Sequence, residues 1–146
     1  MRRRYDWTGG SQGHTKPDVY KRQDLNNTSL VCKFTYGERK FLFTGDMEEP
    51  VEKDMLRSEA DVKADVLKVG HHGSKTSTSR NFYQAVNPSI CIISAGEGNS
   101  YGHPEESTLE TLHSNGAKVY RTDYQGSIIV GIADGKLSVT CEKDGG

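Results

Sequence analysis

The pattern of apolar and polar positions becomes regular at residue 26, and from there it predicts alternating strands and helices. Residues 29–34 alternate like a half-buried strand, and 40–44 form a second strand after a turn, which together predict a β-hairpin. After Asp46 the apolar spacing becomes helical. The pattern then predicts strands at 65–69, 89–94 and 117–122, helices at 81–86 and from Pro104 onward, and a closing hairpin at 126–141. This order predicts an α/β fold, with helices packed on one sheet and hairpins at both ends.

Residues 1–23 show neither the strand period nor the helix period. They begin with arginines and continue with glycine and serine, so we interpret them as an unstructured or foreign tract. The folded domain is therefore expected to span 24–146. His14, inside the tract, and His113, which follows an apolar position of the last helix, are both interpreted as surface histidines.

Charge and hydropathy narrow the classes of partner. The chain has 146 residues, enough for one domain with one core. Its 19 basic and 20 acidic residues give a net charge of -1, so a nucleic acid would have to be held by a local site rather than by the field of the whole protein. No apolar run approaches the roughly 20 residues of a membrane helix, and no apolar region follows the basic N-terminus, so neither a membrane span nor a signal peptide is expected.

The three cysteines each lie beside apolar residues in a predicted strand. Their number is odd, and no Cys-x-x-Cys pair is present. Free cysteine is often a small core residue, so we expect buried free thiols rather than a disulfide or a thiolate ligand at Cys32, Cys91 and Cys141.

Three short motifs place a carboxylate or an imidazole beside a glycine at the end of a predicted strand. Loops at strand ends of α/β layers meet at one edge, where ligands and metals bind. One aspartate and up to three histidines suit a borderline divalent metal such as zinc or manganese. The motifs are Thr44-Gly45-Asp46, His71-His72-Gly73-Ser74 and Tyr101-Gly102-His103-Pro104.

Each motif also has an explanation that involves no ligand. Asp46 could cap the helix that follows it, because aspartate is a favoured N-cap residue. The His71-His72 pair could lie on the surface of a turn. His103 could cap the last helix or lie in a plain turn. The hydroxyl-rich stretch 74–79, with Lys75, could hold phosphate or could be a solvated loop with a helix cap.

Together the motifs resemble the C-terminal half of a metallo-β-lactamase-fold hydrolase. More narrowly, they resemble the hydrolase domain of ComEC-type competence proteins, which take part in bacterial DNA uptake. The likeness runs from about residue 26 to residue 139. It rests on Asn26-Asn27-Thr28-Ser29-Leu30-Val31, Phe41-Leu42-Phe43-Thr44-Gly45-Asp46, Leu67-Lys68-Val69-Gly70-His71-His72-Gly73-Ser74, Asn99-Ser100-Tyr101-Gly102-His103-Pro104, Tyr120-Arg121-Thr122-Asp123 and Gly126-Ser127-Ile128.

The resemblance implies an αββα sandwich, of which the C-terminal half is present, and a hydrolase that uses two divalent ions, zinc or manganese. Its implied substrate is a phosphodiester, with DNA as partner, and its implied location is the outer face of the cytoplasmic membrane. By the resemblance, Asp46 matches the metal-bridging aspartate, either His71 or His72 matches the active-site histidine after the next strand, and His103 lies on the same rim. The site predicted from it has Asp46 and His72 as catalytic residues, Asp46, His71 and His103 as metal ligands, and Ser74, Lys75, Asn99 and Tyr101 as substrate contacts.

One part of the family pattern is missing from the sequence. The His-x-His-x-Asp-His loop, which supplies most ligands of the first half of the fold, is absent. The chain therefore looks like a partial domain with an unrelated head joined near residue 23. Two alternatives stay open: an inactive half-domain or module that contacts nucleic acid, and a hydrolase of the same fold that acts on a thioester or a lactam.

Overall fold

The computed structural model describes residues 25–143, and its elements follow the predicted order. The prediction for residues 1–23, with His14, lies outside this range. The strands are β1 (Cys32–Tyr36), β2 (Arg39–Phe43), β3 (Val66–Lys68), β4 (Ile90–Ile93), β5 (Lys118–Arg121), β6 (Ile128–Ala133) and β7 (Lys136–Cys141). The helices are α1 (Glu49–Arg57), α2 (Arg80–Val86), α3 (Glu106–His113) and α4 (Thr122–Gln125), and a 3-10 turn spans Gly70–Gly73.

Five strands form one sheet in the order β1-β2-β3-β4-β5. β1 pairs antiparallel with β2, whereas β2, β3, β4 and β5 are parallel neighbours. The first predicted hairpin therefore belongs to the main sheet, and the last one, β6-β7, forms a separate two-stranded sheet. Because β2, β3 and β4 run in the same direction, the loops that follow them all lie at the carboxyl ends of these strands, on the same side of the sheet.

The core lies between one face of the sheet and the helices. Leu67, Cys91 and Ile93 are fully buried on that face, and the side chains of α2 and α3 cover them. Tyr83 of α2 is also fully buried, and its hydroxyl donates a hydrogen bond of 2.7 Å to the Leu112 carbonyl of α3. This polar contact satisfies the only polar atom of the tyrosine side chain inside the apolar layer.

The opposite face of the sheet is apolar and open. A groove of about 580 Å³ lies between it and β6, lined mainly by aromatic and aliphatic side chains. Phe34 is 53% exposed and Phe43 46% exposed on this side, and β1 is an edge strand. Among residues 25–143 no strand pairs with the outer side of β1, and an apolar face next to such an edge favours association.

Two local features differ from the sequence predictions. The last long helix begins at Glu106 rather than at Pro104, because Glu105 keeps an extended backbone and acts as the N-cap residue. The helix α4 was not predicted, because four residues are too few to show a helical period, and Gly126 ends it at a φ of 66°. Within 25–143 no helix combines the length and the hydropathy needed to cross a membrane.

The prediction of three buried thiols is correct for Cys91 and wrong for Cys32, which is exposed; Cys141 is half-buried, and all three are free. Cys32 lies on the open side of the edge strand β1, where its partner in register is the half-exposed Phe43. An alternating strand pattern shows which residues share a face but does not show whether that face is covered.

We expect a thiol reagent to label Cys32 in the native chain while sparing Cys91. Burial raises the pKa of the Cys91 thiol to about 12, so the reactive thiolate is almost absent at neutral pH and the sulfur is inaccessible. Time-resolved labelling followed by peptide mass spectrometry measures this order. In denaturant all three thiols should react; labelling of Cys91 as fast as Cys32 in native buffer would contradict the packing.

Candidate active site

Asp46 follows β2. A hydrogen bond from its backbone N–H fixes its position, and it does not cap the helix α1. Gly45 adopts a φ of +57°, and a Cβ on it would lie 3.0 Å from the Ser29 Cβ, so glycine is favoured at this turn. The Asp46 N–H donates to Ser29 Oγ at 3.1 Å. The N-cap residue of α1 is Glu48, so the interpretation of Asp46 as a helix cap is wrong. Its carboxylate is 45% exposed and available for other contacts.

The histidine pair lies in a strained turn after β3. His71 and His72 have φ values of 45° and 56°, which are uncommon for residues with a side chain. The His71 N–H donates to the Gly45 carbonyl at 3.0 Å, and the Gly73 carbonyl accepts from the Glu105 N–H at 3.0 Å. Backbone hydrogen bonds thus join the three strand-end loops that the sequence singled out.

His72 faces Asp46 with one ring nitrogen and the protein backbone with the other. Its Nδ1 lies 2.7 Å from the Ser94 carbonyl oxygen, which can only accept, so Nδ1 carries a proton. The lone pair of the neutral ring is then on Nε2, which lies 3.7 Å from Asp46 Oδ1. A histidine whose second nitrogen donates to a carbonyl is the arrangement that orients metal ligands in proteins.

His71 lies between the other two histidines. Its ring centroid is 6.3 Å from that of His72 and 5.8 Å from that of His103. His71 Nδ1 is buried and makes no hydrogen bond to any residue of 25–143; it lies 3.6 Å from Glu48 Oε1. The sequence analysis did not select Glu48, although a second carboxylate two residues after Asp46 was a visible signal.

His103 packs under an exposed tyrosine and does not cap a helix. The N-cap residue of α3 is Glu105, so the capping alternative is wrong. The Tyr101 ring stacks on His103 with centroids 6.1 Å apart, and His103 Nδ1 is buried without a partner in the described part of the chain. Burial, and then the neighbouring His71, lower the pKa of His103, so its neutral form is favoured.

Asn99 fixes the long loop after β4. Its amide nitrogen donates to the carbonyls of Gly96 at 3.0 Å and His103 at 2.6 Å, and its oxygen accepts from the His103 N–H at 3.1 Å. A pocket of about 190 Å³ lies beside this loop, lined by His72, Ala95, Gly96, Asn99, Tyr101 and His103. The structure thus brings two of the predicted substrate contacts, Asn99 and Tyr101, next to two of the predicted histidines.

The other two predicted substrate contacts lie outside this pocket. Ser74 is 5% exposed, and its hydroxyl is within 3.1 Å of Thr76 Oγ1. The Thr76 hydroxyl in turn donates to Glu48 Oε1 at 2.9 Å. Lys75 is exposed and forms an ion pair of 3.4 Å with Glu105. Ser74 therefore belongs to a chain of hydrogen bonds that ends at the carboxylate beside His71.

Most hydroxyls of the 74–79 stretch are engaged within the protein. Ser77 donates to the Met47 carbonyl at 2.7 Å, and Thr78 Oγ1 accepts from the Gly70 N–H at 3.1 Å. Ser79 caps α2 by accepting from the Phe82 N–H at 3.4 Å. The stretch therefore braces the histidine turn against the start of α1, and the helix-cap alternative is correct for Ser79.

The described residues supply donors of the right chemistry for a divalent ion but too few of them. Carboxylate and imidazole suit zinc or manganese, and Asp46 Oδ1 and His72 Nε2 converge. Within 25–143, however, no three acidic, histidine or cysteine side chains are grouped closely enough to hold an ion. A closed site would need further donors, as the missing His-x-His-x-Asp-His loop also indicates.

A profile of the Metallo-beta-lactamase superfamily matches residues 6–96, more than half of the chain. The chain belongs to the metallo-β-lactamase superfamily. The match confirms the family resemblance and the α/β fold class predicted from the motifs. The matched range includes both Asp46 and the pair His71-His72.

Curated relatives of this chain include competence and recombination proteins. ComE operon protein 3 of Bacillus subtilis (strain 168) is 45% identical over 112 residues, 77% of this chain and 14% of that protein. Competence protein ComA of Neisseria gonorrhoeae is 33% identical over 90% of this chain and 19% of its own length. Recombination protein 2 of Haemophilus influenzae is 38% identical over 84% of this chain and 15% of its own. The narrower resemblance to ComEC-type proteins is confirmed, and the chain spans less than a fifth of each relative.

Proposed function

We propose that this chain carries part of the active site of a metal-dependent phosphodiesterase that acts on DNA during DNA uptake. The approach of Asp46 Oδ1 to His72 Nε2, 3.7 Å apart at the edge where β2 and β3 end, is the observation that supports the hydrolase. The relatives' names, which concern competence and recombination, support DNA as substrate. The superfamily match supports a divalent ion.

In this proposal Asp46 and His72 are ligands of the ion, and His71 and His103 complete the histidine cluster as further ligands or proton-transfer groups. A bound divalent ion would lower the pKa of water and neutralise charge on the oxygens that attack and leave. Ser94 and Asn99 hold the His72 ring and the His103 backbone in place. Preorganised groups of this kind lose little entropy when substrate binds.

Tyr101 gives the pocket a surface suited to a nucleotide. Its ring is 81% exposed and already stacked on His103, so its outer face is free to stack on a base. Stacking on aromatic rings is a sequence-tolerant way to hold single-stranded nucleic acid.

The first test is the metal content of the purified chain by mass spectrometry, for wild type, Asp46→Ala and His71→Ala. The proposal expects zinc or manganese that is lost in Asp46→Ala. Cleavage of a labelled oligonucleotide and of a thioester, each with manganese or zinc, then separates the two hydrolase classes. Cleavage of the thioester alone would overturn the proposed substrate.

A second candidate is a non-catalytic module that contacts nucleic acid. It is favoured by the absence of a third converging donor among residues 25–143. It predicts oligonucleotide binding with no stoichiometric metal and with no effect of Asp46→Ala. Metal that depends on Asp46 would exclude it.

A further inference from the structure

We infer that a polar cavity between the start of α2 and one side of α3 is a binding site for a phosphate group. The cavity, of about 180 Å³, lies outside the pocket beside His72 and His103. All of its lining residues are cationic or carry a hydroxyl, and no carboxylate lines it. Those used in the argument are Lys75, Ser79, Arg80, Ser107, Thr108 and Thr111.

Arg80 provides a cation without an internal partner. Among residues 25–143 its side chain makes no ion pair and no hydrogen bond, whereas Arg39, Arg57 and Arg121 each pair with an aspartate. Guanidinium groups bind phosphate oxygens in pairs, through hydrogen bonds strengthened by charge. An arginine that faces a hydroxyl-lined cavity is therefore suited to an oxyanion.

Thr108 provides a second, independent indication. It is only 3% exposed, yet it lines the cavity, and its hydroxyl has no hydrogen-bond partner in the described part of the chain. The residue is buried but its hydroxyl opens to the cavity, so it can hydrogen-bond a ligand there. Thr108 lies in the first turn of α3, whose N-cap residue Glu105 makes no side-chain cap, so the helix dipole also favours an anion there.

Two acidic groups near the cavity, Glu105 and Glu52, are engaged by other partners. Glu105 is paired with Lys75, and the carboxylate of Glu52 accepts hydrogen bonds from the backbone of Thr78 and Ser79. Burial raises the pKa of Glu52. The positive charge of Arg80 is thus left for a ligand.

We favour a phosphate of a nucleic-acid backbone as the group bound in the cavity. This choice rests on the proposed function. Lys75 connects the polar cavity to the histidine turn, because it lines the cavity and follows Gly73 of the turn by two residues. Its partner Glu105 is bonded through its backbone to Gly73 of that turn. A strand that crosses the pocket beside His72 could therefore place a neighbouring phosphate in this cavity.

The test is binding of a fluorescein-labelled single-stranded oligonucleotide to the full chain, measured by anisotropy with a chelator present. Arg80→Ala should weaken binding about tenfold and reduce the slope of log affinity against log salt by about 0.7. Thr108→Val, which keeps the side-chain shape, should weaken binding about threefold. The matched control is Arg57→Ala, which removes an exposed cation elsewhere and should change affinity less than twofold, on the order expected of a surface charge.

The outcomes test the site and identify the source of the phosphate group. If Arg80→Ala and Arg57→Ala weakened oligonucleotide binding equally, the cavity would not be a phosphate site. Binding of inorganic phosphate that Arg80→Ala abolishes, with oligonucleotide binding unchanged, would overturn the nucleic-acid source and indicate a small phosphate ligand. Because binding is measured with a chelator present, it does not depend on hydrolysis. Arg80-dependent binding by a chain that cleaves no oligonucleotide when zinc or manganese is supplied would contradict the proposed function and leave this site standing, whereas cleavage without Arg80-dependent binding would contradict this site alone.

Discussion

Replacing Glu52 by alanine is expected to lower the free energy of unfolding by about 2–5 kcal/mol, enough to unfold much of a marginal domain. Glu52 is 1% exposed in α1, and its two carboxylate oxygens accept the backbone N–H groups of Thr78 and Ser79, the latter at 2.9 Å. Alanine leaves both donors without an acceptor. Chemical denaturation followed by circular dichroism measures the change.

The contribution of Glu52 to the free energy of unfolding should also depend on pH. Burial raises the pKa of Glu52 in the folded chain above its ordinary value of 4.5, in spite of the opposing hydrogen bonds. A raised carboxyl pKa means that the folded state binds the proton more tightly than the unfolded state does. Its contribution to stability is therefore complete below about pH 4.5 and is lost as pH rises through the folded-state pKa, so Glu52→Gln should cost more at pH 4 than at pH 7.

Glu49→Ala is the matched control in the same helix. Glu49 is half-exposed and forms an ion pair of 2.9 Å with Lys53, one turn away. Removing such a surface pair should cost less than about 1 kcal/mol. If Glu52→Ala were no more destabilising than Glu49→Ala, the hydrogen bonds from α1 to the 78–79 backbone would not contribute to stability.

The sequence predicted the elements well where apolar runs were long or where turn residues bounded them. Residues 89–94 form a continuous apolar run that became the buried central strand β4, and Asp134-Gly135 marked the turn of the last hairpin. The exposure of Cys32 could not be predicted, because it depends on what covers the outer face of the sheet. The start of α3 was displaced by two residues, since proline permits an extended segment as readily as a first helical turn.

The candidate site was predictable as a set of loops but not as a set of contacts. Glycines beside Asp46 and the histidines identified the loops, because a glycine at a strand end indicates a sharp turn. The pairing of His72 Nδ1 with Ser94, and of His71 Nδ1 with Glu48, depends on side-chain directions across the sheet edge. Such tertiary contacts leave no periodic signal in the sequence. For the same reason the cavity at Arg80 could not be predicted.

Asp46→Ala and His72→Ala are each expected to lower the affinity of the chain for zinc or manganese by on the order of 100-fold or more, since substitutions one shell further out already cost 10- to 100-fold. If both atoms contact one ion, the two losses should not add. The double variant should then bind little more weakly than either single one. Isothermal titration calorimetry with metal, at one pH and salt concentration, measures the affinities of the wild type, the two single variants and the double variant.

His71→Ala and His113→Ala sharpen this experiment. His113 is an exposed histidine at the end of α3, so its removal should leave metal affinity unchanged. His71 Nδ1 faces Glu48 rather than Asp46, so a smaller loss is expected for His71→Ala than for His72→Ala. The reverse order would make His71 the ligand and His72 the proton-transfer residue. Additive losses for Asp46 and His72 would show that they do not share an ion, because coupling between two residues requires a common contact.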